Sequence, residues 1–102
     1  MSIQIDVNNG KKVVQNVSSD ITLWQIGVNK FRLNIGGSWS THSANTVLGN
    51  INSAYAPINP DYHAGVGLQG HIISITHDAS IKIIKDPYNM NVIYATIEYT
   101  RV

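Results

Sequence analysis

The chain has 102 residues, a formal net charge of +1 and a hydrophobic share of 43%, which suits one folded domain with a single core. Only 13% of the residues are charged and the basic ones are scattered, so we expect no nucleic-acid binding. The absence of cysteine excludes disulfides and thiolate metal sites. No apolar run approaches the roughly 18 residues of a membrane helix, so no membrane partner is expected either.

Alternation of apolar and polar residues predicts short strands at 3–7, 13–17, 21–28 and 31–35. Asn8-Asn9-Gly10 and Asn29-Lys30 are predicted turns, because Asn and Gly adopt positive φ at little cost. Gly36 and Gly37 are expected to end the fourth strand. Trp24 lies inside a strand and is expected in the core.

The polar segment 38–45 is too poor in apolar residues to form a core strand. Further strands are predicted at 46–51, at 65–68 and 71–76 (one bent strand or two), at 80–84 across a His77-Asp78 turn, and at 92–101. The prolines keep 55–62 irregular, and 86–89 is a loop. These about eight strands, without helical spacing, predict an all-β fold in a single domain, residues 1–102: a compact antiparallel barrel or sandwich.

Several predicted strands are apolar on both faces. Ile72 lies beside Ile73, Ile84 beside Ile83, and Val92 beside Ile93. Because a small sandwich buries only one face of each sheet, the surplus residues would form an exposed patch, and such patches mark subunit contacts. The sequence therefore favours an oligomer.

Catalytic and metal signatures are weak. No two of the four histidines, His42, His63, His71 and His77, have the spacing of a metal pair, so neither a metal nor a cofactor is predicted. A glycosidase needs two converging carboxylates, and only Asp61 and Glu98 are not obvious turn residues. The segment around Ser38 is not a nucleophile elbow. We expect a protein that is not an enzyme.

Aromatic rings beside amide and hydroxyl side chains form a more informative pattern. Sugars stack their C–H faces on aromatic rings and pair their hydroxyls with polar side chains, and loops at one end of a sandwich can supply both. The alternative is that Trp39 and Tyr62 close the ends of the barrel or fill a subunit interface. The predicted saccharide contacts are Trp39, His42, Asp61, Tyr62, His63, Tyr88 and Asn89.

One series of motifs resembles a known family. Leu48-Gly49-x-Ile51 leads to Tyr55-x-Pro57, and Ile73-x-Ile75-x-x-Asp78-x-x-Ile81-x-Ile83 follows. This series resembles the C-terminal heads of phage tail-fibre and baseplate receptor-binding proteins, most closely those of phages that infect lactic acid bacteria. The family has a strand before a Gly-Tyr-x-Pro corner and a hairpin with the Ile-x-Ile alternation. The resemblance spans nearly the whole chain.

The resemblance implies a β-barrel head that forms a homotrimer and binds host cell-wall polysaccharide at or near the subunit boundaries. Such a head would be made in the host cytoplasm and used in the virion, at the tail tip, attached to the rest of the baseplate or tail fibre. Met1 would then begin an excised head. Two features depart from the family. Ala79 replaces the glycine of the hairpin, and the family's aromatic sugar pocket has no counterpart in His71-Ile72-Ile73-Ser74.

Two alternatives stay open at this point. A purely structural virion module would have the same fold and bind no sugar. A small glycan-acting enzyme would need Asp61 and Glu98 to converge, which nothing in the sequence indicates.

Overall fold

A computed structural model describes residues 5–6, 11–58, 62–66 and 70–101. Nine strands occur in this described part of the chain. They are β1 (Ile5–Asp6), β2 (Lys11–Ser18), β3 (Ile21–Gly27), β4 (Lys30–Ser38), β5 (Val47–Asn50), β6 (Tyr62–Val66), β7 (Ile72–Ile75), β8 (Ser80–Lys85) and β9 (Val92–Thr100). One 3-10 turn, Ser53–Tyr55, lies between β5 and β6. The predicted turn at Asn8-Asn9-Gly10 falls outside the described residues.

The strands form two antiparallel sheets, with the orders β1-β2-β3-β4-β9 and β5-β8-β7-β6. The β5 edge of the second sheet lies near β2, and the β6 edge lies near β9. The prediction of an all-β antiparallel fold is therefore confirmed, as a two-sheet sandwich. The sheets do not close into a barrel within the described residues.

The core lies between the two sheets and follows the period-two alternation of the strands. In β4, Phe31, Leu33 and Ile35 are buried, and their neighbours Arg32 and Asn34 point the other way. The same alternation buries residues of β3, β7, β8 and β9, which are Ile21, Leu23, Ile73, Ile75, Ile81, Ile83, Ile93, Ile97 and Tyr99. The predicted inward face of the last strand and the β7–β8 hairpin are both confirmed.

The expectation that Gly36 and Gly37 end the fourth strand is wrong. β4 continues through both to Ser38, and its pairing with β9 is unbroken from Lys30↔Thr100 to Ser38↔Val92. A glycine weakens a strand because it has no side chain to pack. Here an edge of the Tyr94 ring lies against Gly36, so that a Cβ built on Gly36 would stand 3.3 Å from Cδ1 of Tyr94.

The expectation that Trp24 lies in the core is wrong. Ile21 and Leu23 of β3 are fully buried, so the alternation turns Trp24 to the outer face of its sheet, where it is half-buried and outside the core cluster. It stands opposite Arg32 of β4. The position of Trp24 inside a strand therefore did not decide which face it occupies. The alternation of β3 indicates the outer face.

The end of the sandwich that holds the β3–β4 turn is closed by aromatic side chains. The Phe31 ring lies 5.6 Å from that of Tyr55 and 5.4 Å from that of Tyr99, measured between centroids. The Tyr99 hydroxyl donates a hydrogen bond to the carbonyl of Tyr55, and burial raises the pKa of Tyr99, although nearby Arg101 acts in the opposite sense. The Tyr-x-Pro corner thus fixes the end of the core.

The β7–β8 hairpin turns through Ala79, which has a φ of 71°. Residues other than glycine rarely adopt this left-handed conformation. Hydrogen bonds hold the turn in place: the Thr76 carbonyl accepts from the Ala79 N–H, and the Thr76 hydroxyl oxygen accepts from the Ser80 N–H. The side chain of Ala79 is buried against the core.

Candidate functional site

Two loops cross between the sheets at the opposite end of the sandwich. The β4–β5 loop (residues 39–46) runs from the first sheet to the second, and the β8–β9 loop (residues 86–91) runs back. They meet because β4 ends beside the start of β9, where Ser38 pairs with Val92. The Trp39 N–H donates to the Asn91 carbonyl at 2.9 Å, which ties one loop to the other.

Asp86 organises the polar contacts between these loops. Its side chain is only 4% exposed, and its Oδ2 lies 2.5 Å from Nδ1 of His42. Because an ionised carboxylate can only accept, the His42 Nδ1–H is the donor. The other oxygen, Oδ1, accepts the N–H of Met90 at 3.0 Å. One carboxylate thus closes its own loop and attaches it to the neighbouring loop.

His71, just before β7, completes this network. It is fully buried, and its Nε2–H donates to the Met90 carbonyl at 2.7 Å, with Oδ1 of Asp86 at 3.4 Å. Its other ring nitrogen, Nδ1, is buried and has no hydrogen-bond partner among the described residues. We call Asp86, His42, His71 and Met90 the loop network. It joins three segments that are distant in the sequence.

The electrostatics of the loop network favour an ionised Asp86. Burial alone would raise the pKa of this carboxyl group, since it disfavours the charged form. The hydrogen bonds from His42 and from the Met90 N–H, together with the charges of His71 and His42 when protonated, outweigh it and hold the pKa of Asp86 below its ordinary value of 3.8. The network is therefore intact at neutral pH.

Tyr88 stands at the tip of the β8–β9 loop with 71% of its surface exposed. An edge of its ring occupies the space beside Gly70, where a Cβ would be 2.6 Å from Cε2. Gly70 has a φ of +86°, which glycine adopts easily. Asn89, the residue after Tyr88, has a left-handed φ of 53°. The turn thus presents an aromatic ring and an amide side chain together to the solvent.

A shallow pocket of about 360 Å³ opens between the two loops. It is lined by the apolar residues Ala44, Ile84 and Pro87 and by the polar or charged residues Ser43, Lys85, Asp86 and Asn89. A mixture of apolar and a few polar groups is typical of small-molecule sites.

The structure brings together four of the seven predicted saccharide contacts, and it gives them different environments. Tyr88 and Asn89 are exposed. His42 is only 16% exposed and holds Asp86, so it positions the loop. Trp39 is half-buried and packs against the core, as expected if this residue closes an end of the fold.

The remaining three predicted contacts are not placed at these loops. Asp61 lies outside the described residues. Tyr62 and His63 begin β6 and do not belong to the irregular proline segment, which corrects the prediction for Tyr62. In the β6–β7 register, Tyr62 pairs with Ile75 near the β7–β8 turn, whereas the crossing loops lie at the Ile72 end. The antiparallel register therefore separates Tyr62 from Tyr88.

Sequence reasoning missed the role of Asp86, His71 and Gly70. Asp86 was read as an ordinary turn residue, and its Oδ1 bond to the Met90 N–H does fit that reading. Its second partner, His42, is 44 positions away, and no local pattern indicates such a contact. A usable signal was the isolated Gly70 directly before an apolar strand, because such a glycine often marks a close approach of another segment.

No group of three or more His, Cys, Asp or Glu residues is arranged to hold a metal ion in the part of the chain that the structure describes. The same residues include no helix of the length and apolarity that a bilayer crossing requires. No protein-family model, curated protein or solved structure matches this chain.

Proposed function

We propose that this domain is the receptor-binding head of a phage baseplate or tail-fibre protein, and that it attaches the virion to host cell-surface saccharides without cleaving them. The proposal combines the motif resemblance given above with the chemistry of the crossing loops. Each site would bind weakly, and many heads on one virion would bind by avidity, since effective concentration multiplies modest affinities.

The observation that carries the proposal is the exposed ring of Tyr88, which lies on the β8–β9 loop between Pro87 and Asn89, two residues that line the pocket. The ring is held at one edge by Gly70 and leaves most of its surface to solvent. Ser43 and Asn89, which line the pocket, offer neutral hydrogen-bonding groups. An exposed aromatic ring together with hydroxyl and amide groups matches the apolar C–H face and the hydroxyls of a pyranose ring.

We also propose that the head is a homotrimer. The outer face of the four-stranded sheet carries Val47, which is 47% exposed, and the half-buried Ile72 and Ile84 near Lys82. Burying this face against another copy would remove apolar surface from water. Val47→Glu should therefore yield monomers in light scattering, while the fold is retained because the new carboxylate faces Lys82 across the strands. Val28→Glu, at the exposed β3–β4 turn, is the matched control.

Calorimetric titration with purified cell-wall polysaccharide from lactic acid bacteria tests the saccharide function. We expect binding by the unmodified domain and a loss of about tenfold or more in affinity for Tyr88→Ala with an unchanged melting temperature. Val28→Ala is again the control, because it removes an exposed apolar side chain at the far end of the sandwich.

The alternatives give different results. A structural virion module would bind none of the polysaccharides. An enzyme would release sugar on prolonged incubation, and the release would stop on changing Asp61 or Glu98. In the structure, Glu98 is paired with Arg32 at 2.6 Å on the outer face of the five-stranded sheet. That position is away from the pocket between the loops.

A further inference from the structure

The outer face of the five-stranded sheet carries a second exposed tyrosine. Tyr94 of β9 points away from the core, since its neighbours Ile93 and Ala95 turn inward, and it is 47% exposed. The Gly36 position opposite leaves room for an edge of its ring. The absence of a side chain at Gly36 therefore lets the ring lie close to the sheet and keeps the rest of it open.

Next to Tyr94 runs a cross-strand row of neutral polar side chains. Thr22, Asn34 and Thr96 stand opposite one another on β3, β4 and β9. The Thr96 hydroxyl donates to Oδ1 of Asn34 at 3.4 Å, which orients the N–H groups of the Asn34 amide away from Thr96. Such a row supplies donors and acceptors without any charge.

The next row adds the half-buried Trp24 and two charges that neutralise each other. Arg32 lies between Trp24 and Glu98 in the register, and its guanidinium contacts the Glu98 carboxylate at 2.6 Å. The pair leaves no net charge in this row, so it offers little attraction to phosphates or acidic chains. The three rows, from Tyr94 to Trp24, are called the outer sheet face below.

We propose that the outer sheet face is a second saccharide-binding surface, which takes an extended, uncharged glycan chain lying obliquely across β9, β4 and β3. Rows about 7 Å apart and strands about 4.8 Å apart place Tyr94 and Trp24 about 17 Å from each other. This distance requires several linked sugar rings. The proposal rests on the proposed function only in the class of ligand, since the two surfaces share no residue.

The test maps where glycans bind. Isotope-labelled domain is titrated with isomalto-oligosaccharides and with chito-oligosaccharides, each as a disaccharide and as a long oligomer. It is also titrated with neutral cell-wall polysaccharide of lactic acid bacteria. Amide shifts should move in β3, β4 and β9 with the long chains and much less with the disaccharides. Tyr94→Ala and Trp24→Ala should each weaken long-chain binding by about tenfold, and Tyr94→Phe, which keeps the ring, by less than about twofold.

Two further variants keep the test decisive. Thr96→Ala changes an exposed side chain, so it reports on the surface even if a Trp24 variant folds poorly. Tyr88→Ala reports on the loop site alone. Binding that Tyr88→Ala abolishes and that Tyr94→Ala, Trp24→Ala and Thr96→Ala leave unchanged would overturn this proposal and support the loop site. The reverse pattern would support the outer sheet face and count against the loop site. Failure to bind any of the glycans would overturn both.

Discussion

Tyr88 and Tyr94 both use space left by a glycine, but the molecule holds them by different means. Tyr94 lies on a strand whose register with β4 is unbroken over nine pairs, so backbone hydrogen bonds fix its position. Tyr88 lies on a loop whose shape depends on Asp86 and its contacts with His42, His71 and Met90. One side-chain change or acid should therefore displace Tyr88, whereas Tyr94 on the outer sheet face should resist both.

Replacing Asp86 should have the largest effect, and it should affect the crossing loops far more than the outer sheet face. Asp86→Ala removes the acceptor of the His42 ring and the Met90 N–H, and it removes the carboxylate that lies 3.4 Å from the buried His71. We expect a loss of about 2–3 kcal/mol in the free energy of unfolding, because acceptors of charged or buried groups contribute most. Chemical denaturation measures it, and amide shifts should change in residues 39–46 and 86–91 far more than in β9.

The control for that experiment is Asp20→Ala, which removes an exposed carboxylate at the β2–β3 turn. It should change stability by less than about 0.5 kcal/mol. An equally small effect for Asp86→Ala would mean that the loop network does not hold the loops.

Alanine at the two glycines provides a matched comparison of the tyrosine sites. Gly70→Ala forces a side chain into a φ of +86° and within 2.6 Å of the Tyr88 ring, so it should destabilise by about 1–2 kcal/mol and displace Tyr88. Gly36→Ala meets Tyr94 at 3.3 Å with ordinary backbone angles and needs only a small ring movement. Thermal unfolding of both variants checks the order, and a larger loss for Gly36→Ala would contradict it.

As the pH falls, the loop network should lose stability before the outer sheet face does. The folded pKa of Asp86 lies below its unfolded value near 3.8, so its contribution is fully present above that value and disappears as the pH falls through the folded pKa. Asp78, whose pKa the Thr76 hydroxyl lowers, adds a loss in the same range. Stability measured from neutral to acidic pH should fall less steeply in Asp86→Asn. An unchanged slope in that variant would exclude Asp86 as a source.

The smallest effect is expected on the outer sheet face. Glu98→Ala breaks the ion pair with Arg32, but Glu98 is about half exposed and water screens the attraction. The free energy of unfolding should fall by no more than about 0.5–1 kcal/mol, and the loss should shrink as salt is added. A loss of unfolding free energy comparable with that of Asp86→Ala would show that the outer sheet face also depends on a single charge.

The sequence predicted those parts of the structure that depend on local alternation. Phe31, Leu33 and Ile35 on one face, and Ile93 to Tyr99 on another, required only the two-residue period of a strand. The continuation of the strand through Gly36 and Gly37 was missed because it depends on pairing with β9, which is distant in the sequence. The same reason hid the His42–Asp86 contact.

The candidate site was predicted less completely than the fold. Tyr88 and Asn89 were chosen for the right local reason, since a turn with an aromatic and an amide residue projects into solvent. Their proximity to the 39–46 segment depends on both loops crossing the sandwich at one end, which follows from the strand order in the two sheets. Strand order is a property of the whole chain, and so Tyr62 was grouped with residues from which its register separates it.

The most direct test of the account is the binding of cell-wall polysaccharide from lactic acid bacteria by the purified domain and by its Tyr88→Ala variant. The account predicts measurable binding by the unmodified domain and a loss of about tenfold or more for the variant, at equal thermal stability. Equal affinity of the two proteins would contradict the loop site, and no binding by either would contradict the saccharide-binding function itself.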